Sequence, residues 1–164
     1  VLIRAAVPED VDALSDIERI CSRLPWHRTS LFQDLTFNQN AFYFVAESHS
    51  GQIVGYIACW AVQSEAEIIN LAVLPSWRRQ GIASRLMNHA LLFMKNAGVR
   101  QVFLDVREHN EAALALYSRF GFMAAGFRAA YYHDNGENAI IMTKMPNRNT
   151  WKIISNALPI VLPK

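Results

Sequence analysis

A basic, glycine-containing segment in the middle of the chain is the stretch best suited to bind an anion. It spans residues 70–84 and contains Arg78, Arg79 and Gly81. A strand-like run precedes the turn and a helix-like run follows it, so the turn would present backbone N–H groups and the positive end of a helix dipole. Phosphate oxygens bind such turns, and a glycine lets them approach the backbone closely. The segment has neither a Walker Gly-Lys-Ser/Thr nor the three glycines of a dinucleotide fingerprint, so it predicts another kind of phosphate cradle.

The elements around this segment form a unit of strand, helix and strand. The first strand covers residues 67–73, an apolar helical stripe runs from Ile82 to Met94 and ends before Gly98, and the second strand covers residues 102–106. A helical crossover joins parallel strands. The two strands are therefore expected to lie side by side at the centre of a sheet.

The other elements are predicted from periodicity. Helical spacing covers residues 11–21, more weakly 29–37, and 113–120 after Asn110, a good N-cap residue. The remaining strand-like runs are residues 2–6, 42–48, 53–62, 122–132 and 139–145, the last four forming hairpins around Ser50-Gly51 and Asp134-Asn135-Gly136. The predicted fold class is α/β, or α+β, with a mixed, mostly antiparallel central sheet, one parallel strand pair and flanking helices.

Composition indicates one globular domain, which we place at residues 1–145. The chain has 164 residues, of which 52% are hydrophobic and 18% charged, and this excludes wholesale disorder, collagen-like repeats and a coiled coil. A formal net charge of +2 is too small to predict electrostatic binding of nucleic acid. Residues 146–164 are apolar but too short and proline-broken to span a membrane. We expect this tail to dock on the molecule or on a neighbour, and the sequence leaves the oligomeric state open.

The cysteines and histidines predict no special chemistry. Cys21 and Cys59 have no disulfide or metal-ligand spacing, and the five histidines show no ligand spacing. We therefore expect no metal, and a reducing cytoplasm as the location. Cys59 lies among apolar strand residues and is predicted to be a buried hydrophobe rather than a nucleophile.

A second motif, in residues 104–122, makes the interpretation of the first motif more specific. Its key residues are Asn110, Ala113, Leu116, Tyr117, Gly121 and Phe122. Together with the pattern Arg78-x-x-Gly81-x-Ala83, this stretch resembles the GNAT acyltransferase superfamily. In that superfamily an Arg/Gln-x-x-Gly-x-Gly/Ala loop is followed by Asn-x-x-Ala-x-x-Leu-Tyr-x-x-x-Gly-Phe. The first pattern alone matches by chance in about one of six such chains, whereas the joint match is far more specific.

Within the superfamily the chain is similar to the RimI-type ribosomal-protein N-terminal acetyltransferases and related protein Nα-acetyltransferases. The similarity lies in Asn70–Val73, Val106-Arg107, Tyr131-Tyr132 and residues 136–142, and the resemblance as a whole covers residues 1–145. It implies transfer of an acetyl group from acetyl-CoA to the N-terminal α-amine of a protein, by direct attack in a ternary complex. The implied acceptor is the N-terminal Ala of a small-subunit ribosomal protein.

The resemblance also implies how acetyl-CoA is held. Strand residues Leu71, Ala72 and Val73 would pair with the pantetheine arm, and Asn110 would contact the cofactor as well. The implied pyrophosphate-binding residues are Arg79, Gln80, Gly81, Ile82, Ala83 and Ser84.

Two residues are implied to be catalytic. Tyr117 would be the general acid that protonates the departing thiolate, a role that suits a phenol with an ordinary pKa near 10. The family's base is usually a Glu, and Asp105 stands at that position. Asp is one methylene shorter, so it would act through a water, or the base would be Glu67 or another group and Asp105 would have a structural or substrate-positioning role. An α-amine has a pKa of only about 7.7–8.0, so the base need not be strong.

Tyr131, Tyr132 and Glu137 are expected to line the groove for the acceptor peptide. The two tyrosines are consecutive in a strand, so alternation lets only one of them face the substrate. Glu137 would meet basic residues downstream in the peptide. Two other functions stay open: acetylation of a small amine such as a polyamine or antibiotic, and a non-catalytic acyl-CoA-binding domain, against which Tyr117 argues.

Overall fold

A single mixed sheet organises the protein. The computed structural model describes residues 1–144, so the predicted tail at 146–164 lies outside the described residues. The strands, in chain order, are β1 (Leu2–Ala5), β2 (Ala41–Glu47), β3 (Ile53–Val62), β4 (Glu65–Val73), β5 (Gln101–Arg107), β6 (Met123–Tyr132) and β7 (Glu137–Lys144). In space they follow the order β1-β2-β3-β4-β5-β7-β6. Only the β4–β5 pair is parallel among the described strands, so the predicted mixed sheet with a central parallel pair is confirmed.

Within residues 1–144, four α-helices cover the two faces of this sheet: α1 (Val11–Cys21), α2 (Arg28–Phe37), α3 (Ile82–Asn96) and α4 (Glu111–Arg119). α3 ends where predicted, because Gly98 adopts a φ of +82° and Val99 N–H bonds back to the carbonyl of Met94. No helix within residues 1–144 is long and apolar enough to cross a membrane.

Alternation along the strands divides the apolar residues into two cores. On β5, Val102, Leu104 and Val106 are buried against α3 and α4, so Phe103, Asp105 and Arg107 point to the opposite face. That opposite face carries the second core, which is built mainly from α1, α2 and the alternate residues of β2 and β3. Glu67 of β4 and Asp105 of β5 are on this face of the sheet but do not belong to the apolar cluster that forms the second core.

The parallel pair is short, and this opens the sheet. β4 and β5 are paired only from Glu65 opposite Gln101 to Ile68 opposite Leu104. One residue later β4 has a bulge at Ile69. Cys59 of β3 is opposite Ile68 and the preceding Ala58 is opposite Asn70, so Ile69 has no partner on β3. The strands therefore separate toward their carboxyl ends, leaving residues 69–73 of β4 and 105–107 of β5 on either side of an opening.

Candidate active site

The phosphate cradle predicted from the sequence lies at the carboxyl end of β4. A short 3-10 turn, Pro75–Trp77, leads into an exposed loop, and α3 begins at Ile82. Arg79 and Gly81 have φ angles of +62° and +78°, a left-handed backbone that bends the loop around the start of the helix. Positive φ is uncommon for a residue such as arginine and typical of functional turns.

The backbone of this loop fits a phosphate group. Among residues 1–144, no acceptor bonds to the N–H groups of residues 81–84, the first turn of α3. A Cβ built on Gly81 would meet no atom within 4 Å, so the space above the glycine is open. Four donors and the positive helix end therefore face free space, as binding of a pyrophosphate requires.

Arg78 also has a structural role. Its Nε donates to the carbonyl of Val73 at 2.9 Å, which ties the loop to the end of β4. Gln80 bonds within the loop, with its side-chain amide 3.3 Å from the carbonyl of Ser76. Arg79 is exposed and makes no side-chain bond among the described residues, so it is the arginine available to an anion.

The predicted pantetheine strand is held rigidly on one side. Leu71, Ala72 and Val73 are opposite Ile57, Tyr56 and Gly55 of β3. A Cβ on Gly55 would stand 2.8 Å from the carbonyl oxygen of Ala72, so only glycine allows the two strands to come this close. The other side of β4 borders the opening.

Asn110 begins α4 in the way its position predicts. Its side-chain oxygen accepts the N–H of Ala113 at 3.1 Å, which is the N-cap bond. The cap fixes the start of the helix that carries Tyr117 two turns later. The side-chain NH₂ of Asn110 makes no bond among the described residues and is available to a ligand.

Tyr117 of α4 is buried in the core on the face of the sheet that α3 and α4 cover. It is 8% exposed and packs against Phe122, with ring centroids 6.0 Å apart. Burial raises the pKa of its phenol, and the nearby Tyr132 and Cys59 raise it further. The hydroxyl therefore carries its proton throughout the neutral range, as a general acid requires. Cys59 itself is fully buried, and burial also raises the pKa of its thiol.

Two carboxylates lie on the opposite face of the sheet, beside the opening. Asp105 on β5 accepts a hydrogen bond from Nε of Arg128 on β6 at 3.1 Å. Glu67 lies on β4, one strand away. Burial raises the pKa of Glu67, the charge of Asp105 raises it further, and Arg128 opposes both. Burial likewise raises the pKa of Asp105, whereas Arg128 and the Tyr131 hydroxyl lower it.

The strict alternation expected at Tyr131 and Tyr132 is wrong. Ala130 has a φ of +48°, and the register of β6 against β7 is irregular between Arg128 and Tyr132. This irregularity turns the two rings toward each other, with centroids 5.2 Å apart. Burial raises the pKa of both phenols, and the charge of Asp105 raises it further. The pKa of Tyr132 reaches about 12. Both tyrosines therefore lie near the carboxylates.

Glu137 is the centre of an ion-pair cluster at the β6–β7 turn. Its carboxylate accepts the backbone N–H of His109 at 3.0 Å and Nη1 of Arg107 at 3.1 Å. These donors, the His109 N–H first, lower the pKa of Glu137 to about 2. Arg107 also binds Asp134 at 2.8 Å and stacks over the ring of Tyr132, 3.9 Å from its centroid. The cluster fastens the turn to β5, and contact of Glu137 with a substrate stays a prediction.

Sequence reasoning missed the residues that hold this face together. Arg128 interrupts the otherwise apolar strand β6, and Arg107 ends β5 two residues after Asp105; charged residues within strands were the available signal. A second missed group surrounds the fully buried Glu18 of α1. Its carboxylate accepts Tyr56 Oη at 2.6 Å, Asn70 Nδ2 at 2.5 Å and Trp26 N–H at 2.9 Å, joining the bulged part of β4 to the loop after α1.

Residues 1–144 contain no group of three His, Cys, Asp or Glu side chains placed to hold a metal ion. The phenol of Tyr117 on one side of the opening and the carboxylates of Glu67 and Asp105 on the other can carry out acid–base chemistry.

Known proteins are similar to this chain in sequence and in fold. The Acetyltransferase (GNAT) family description matches residues 11–122. A Bacillus subtilis relative, named provisionally as a ribosomal protein bS18-alanine N-acetyltransferase, is 37% identical over 134 residues, which are 82% of this chain and 88% of the relative. The Escherichia coli K12 ribosomal protein bS18-alanine N-acetyltransferase is 33% identical over 136 residues, 81% of this chain and 89% of that one.

The fold agrees with these matches. The crystal structure of the ribosomal-protein-S18-alanine N-acetyltransferase from Escherichia coli superposes with a TM-score of 0.81 at 30% identity, covering 90% of this chain and 97% of that one. The match to the family description spans the cradle loop, Asp105 and Tyr117 together. This chain belongs to the GNAT acetyltransferase family.

Proposed function

We propose that the chain transfers the acetyl group of acetyl-CoA to the N-terminal α-amine of a protein, the alanine of ribosomal protein bS18 being the acceptor. The observation that carries the proposal is the opening between β4 and β5. It joins an anion cradle and a protonated phenol on one side to a carboxylate-lined face on the other.

The cradle side supports acetyl-CoA as the donor. The unpaired N–H groups at the start of α3 and the exposed Arg79 suit a pyrophosphate. From there the open side of β4 leads toward Tyr117, so a pantetheine arm along the strand would bring its thioester to the phenol. Of the solved structures similar in fold, one of Arabidopsis thaliana NAA60 is a complex with acetyl-CoA.

The opposite face supports a cationic acceptor. Glu67 and Asp105 contribute two negative charges near the opening, and Arg128 offsets one of them. A protonated amine is therefore attracted there, and its proton has a carboxylate to go to. Tyr131 and Tyr132 add hydroxyl groups that can bond to a peptide backbone.

The reaction then balances with side chains of this chain. A carboxylate takes one proton from the ammonium group, and the neutral amine forms a C–N bond to the acetyl carbonyl carbon as the C–S bond breaks. Tyr117 gives its proton to the departing sulfur. The proton lost by the newly bonded nitrogen returns to the Tyr117 phenolate through water, and the carboxylate releases its own proton to solvent.

An N-terminal amine suits this face better than a lysine does. The lysine pKa near 10.4 lies about 2.5 units above that of an α-amine. At pH 7 the neutral fraction of a lysine amine is therefore much smaller than that of an α-amine. The relatives named as bS18-alanine N-acetyltransferases support an alanine at the start of that ribosomal protein as the acceptor.

Mass spectrometry on matched acceptors tests the proposal. The protein and acetyl-CoA are mixed with an Ala-initiated bS18 peptide, with the same peptide blocked at its N-terminus but bearing a lysine, and with spermidine. We expect one acetyl group on the α-amine of the free peptide only, with matching release of free thiol. Equal rates on the blocked peptide, or reaction with spermidine alone, would contradict the proposal and favour a lysine or small-amine acceptor.

A further inference from the structure

Glu67 is a half-buried carboxylate without a partner at the edge of the opening. Within residues 1–144 it forms neither a hydrogen bond nor an ion pair. It is absent from the fully buried polar atoms that lack a partner, so solvent still reaches its oxygens. A carboxylate in this state is available to accept a proton.

Asp105, by contrast, is already engaged. Its Oδ2 accepts Nε of Arg128 at 3.1 Å, and its side chain is only 15% exposed. The Tyr131 hydroxyl also lies beside it. If Asp105 took a proton, it would weaken the ion pair with Arg128, which crosses from β5 to β6 over β7.

The two carboxylates lie close enough to act on one amine. Glu67 is opposite Phe103 across the parallel pair, and Asp105 is two residues farther along β5, so both side chains project from the same face. They are near enough that the charge of Asp105 raises the pKa of Glu67. An ammonium group between them could touch both.

We propose that Glu67 is the general base for the acceptor amine and that Asp105 positions Arg128 and Tyr131. This assignment rests on the proposed acetyltransferase function, whichever amine is the acceptor. Glu67 is the nearer of the two to the bulge of β4, where that strand begins to border the opening.

Glu67 takes up one proton in each reaction cycle. The Glu67 carboxylate takes one proton from the ammonium nitrogen and becomes a carboxylic acid. The freed lone pair attacks the thioester carbonyl, and the C–S bond breaks as Tyr117 protonates the sulfur. The second proton, lost by the newly bonded nitrogen, returns to the Tyr117 phenolate through water, and Glu67 releases its own proton to solvent after product release. Asp105, Arg128 and Tyr131 are the titratable or charged groups that affect Glu67 from β5 and β6, while its β3 neighbour is the uncharged Trp60.

The test compares kcat/KM of Glu67→Gln, Asp105→Asn and Glu65→Gln between pH 6 and pH 9.5. Glu65 lies two residues before Glu67 on the same strand and is also half-buried, so its variant is the matched control. Loss of a general base lowers the rate by about 10²–10⁴-fold. We expect a loss in this range for Glu67→Gln at pH 6.5 that shrinks steadily toward pH 9.5, where the amine is already neutral. Asp105→Asn should lose less than tenfold with an unchanged profile, and Glu65→Gln should match the parent.

Several outcomes would overturn the assignment. These are a pH-independent loss in Glu67→Gln, a loss below threefold, or a larger pH-dependent loss in Asp105→Asn. Thermal unfolding of each variant separates a folding defect from a catalytic one, and Glu67→Asp, which keeps a shorter carboxylate, should recover part of the rate at low pH. If the parent acetylates spermidine but not peptides, the proposed acceptor fails, and the same comparison is read on spermidine. A parent that acetylates no amine refutes both proposals.

Discussion

The two sides of the opening are built in different ways. The proposed acetyl-CoA side consists of backbone: unpaired N–H groups at the start of α3, the positive φ of Arg79 and Gly81, and the open side of β4. The proposed acceptor side consists of side chains, and nearly all of them are already bonded to one another. Arg107 holds Asp134 and Glu137, and Arg128 holds Asp105.

This difference follows from what each side must recognise. A pyrophosphate is the same in every reaction cycle, and short backbone segments can be shaped to fit it. An acceptor is recognised by its own side chains and charge, so the protein must hold complementary side chains in fixed positions. In the proposed function the unpaired groups take part in binding and chemistry, and the bonded groups hold the acceptor surface in shape.

Removing the hydroxyl of Tyr117 should have the largest effect. Tyr117→Phe keeps the ring and its packing against Phe122 but takes away the proton for the thiolate. General acid catalysis contributes about 10²–10⁴-fold, so kcat should fall by that factor in steady-state thiol release. The dissociation constant for acetyl-CoA, measured by calorimetry, should stay within threefold of the parent's.

The control for this variant is stability. The Tyr117 hydroxyl makes no hydrogen bond to another group among residues 1–144, so Tm should be unchanged or slightly higher. If Tyr117→Phe turns over as fast as the parent, Tyr117 is not the general acid. A large fall in Tm would attribute the loss to packing instead.

Gly81→Asn should have the next largest effect, on the backbone-built side. Asparagine tolerates the positive φ of this position better than other residues with a Cβ, and its side chain would enter the space above the loop, which is empty within 4 Å. Loss of one charge-assisted hydrogen bond is worth about 1.5–3 kcal/mol. The dissociation constant for acetyl-CoA should therefore rise by about 10- to 100-fold.

Gly51→Asn is the matched control, because Gly51 has a φ of +82° and equal open space but lies in the β2–β3 turn. Its affinity for acetyl-CoA should equal the parent's. Equal affinities in both variants would exclude the loop as the phosphate cradle.

What the sequence could predict follows the same division. The cradle and Tyr117 lie in short local motifs, and the central parallel pair follows from one helical crossover, so spacing was enough to find them. The Asp105–Arg128 pair joins residues 23 apart across a strand, and no local pattern records such a pairing. The contact between Tyr131 and Tyr132 depends on the positive φ of Ala130, a residue with no intrinsic preference for it. Side-chain sites assembled from several strands therefore became visible only in the folded structure.

Arg107→Met should have a moderate effect confined to the acceptor side. The substitution keeps an apolar stem but removes both ion pairs and the stacking on Tyr132. Partly exposed ion pairs contribute up to about 1 kcal/mol each, so we expect KM for the peptide to rise by about three- to tenfold. The affinity for acetyl-CoA should not change.

Arg119→Met, on the exposed surface of α4, is the control for loss of one positive charge. A rise in KM of the same size there would indicate general electrostatic attraction of the peptide. A weaker affinity for acetyl-CoA in Arg107→Met would show that the two sides are not independent.

Acid should loosen the acceptor side through Glu137, with the smallest effect. The folded-state pKa of Glu137 is lowered from 4.5 to about 2 by His109, Arg107 and Asn135. A lowered pKa means that folding favours the ionised form, so this contribution to stability is complete above about pH 4.5 and is lost as the pH falls toward 2. Since Glu137→Gln has no charge to lose, the difference in free energy of unfolding between parent and variant should be constant from pH 7 to pH 5 and then shrink.

Urea unfolding at pH 3, 4, 5 and 7 measures that difference. The control for the loss of one carboxylate is Glu111→Gln, because Glu111 is an exposed residue in the first turn of α4. A difference that stays constant down to pH 3 would mean that Glu137 is not held in its ionised form, and the ion-pair cluster would then not be what fastens the turn to β5.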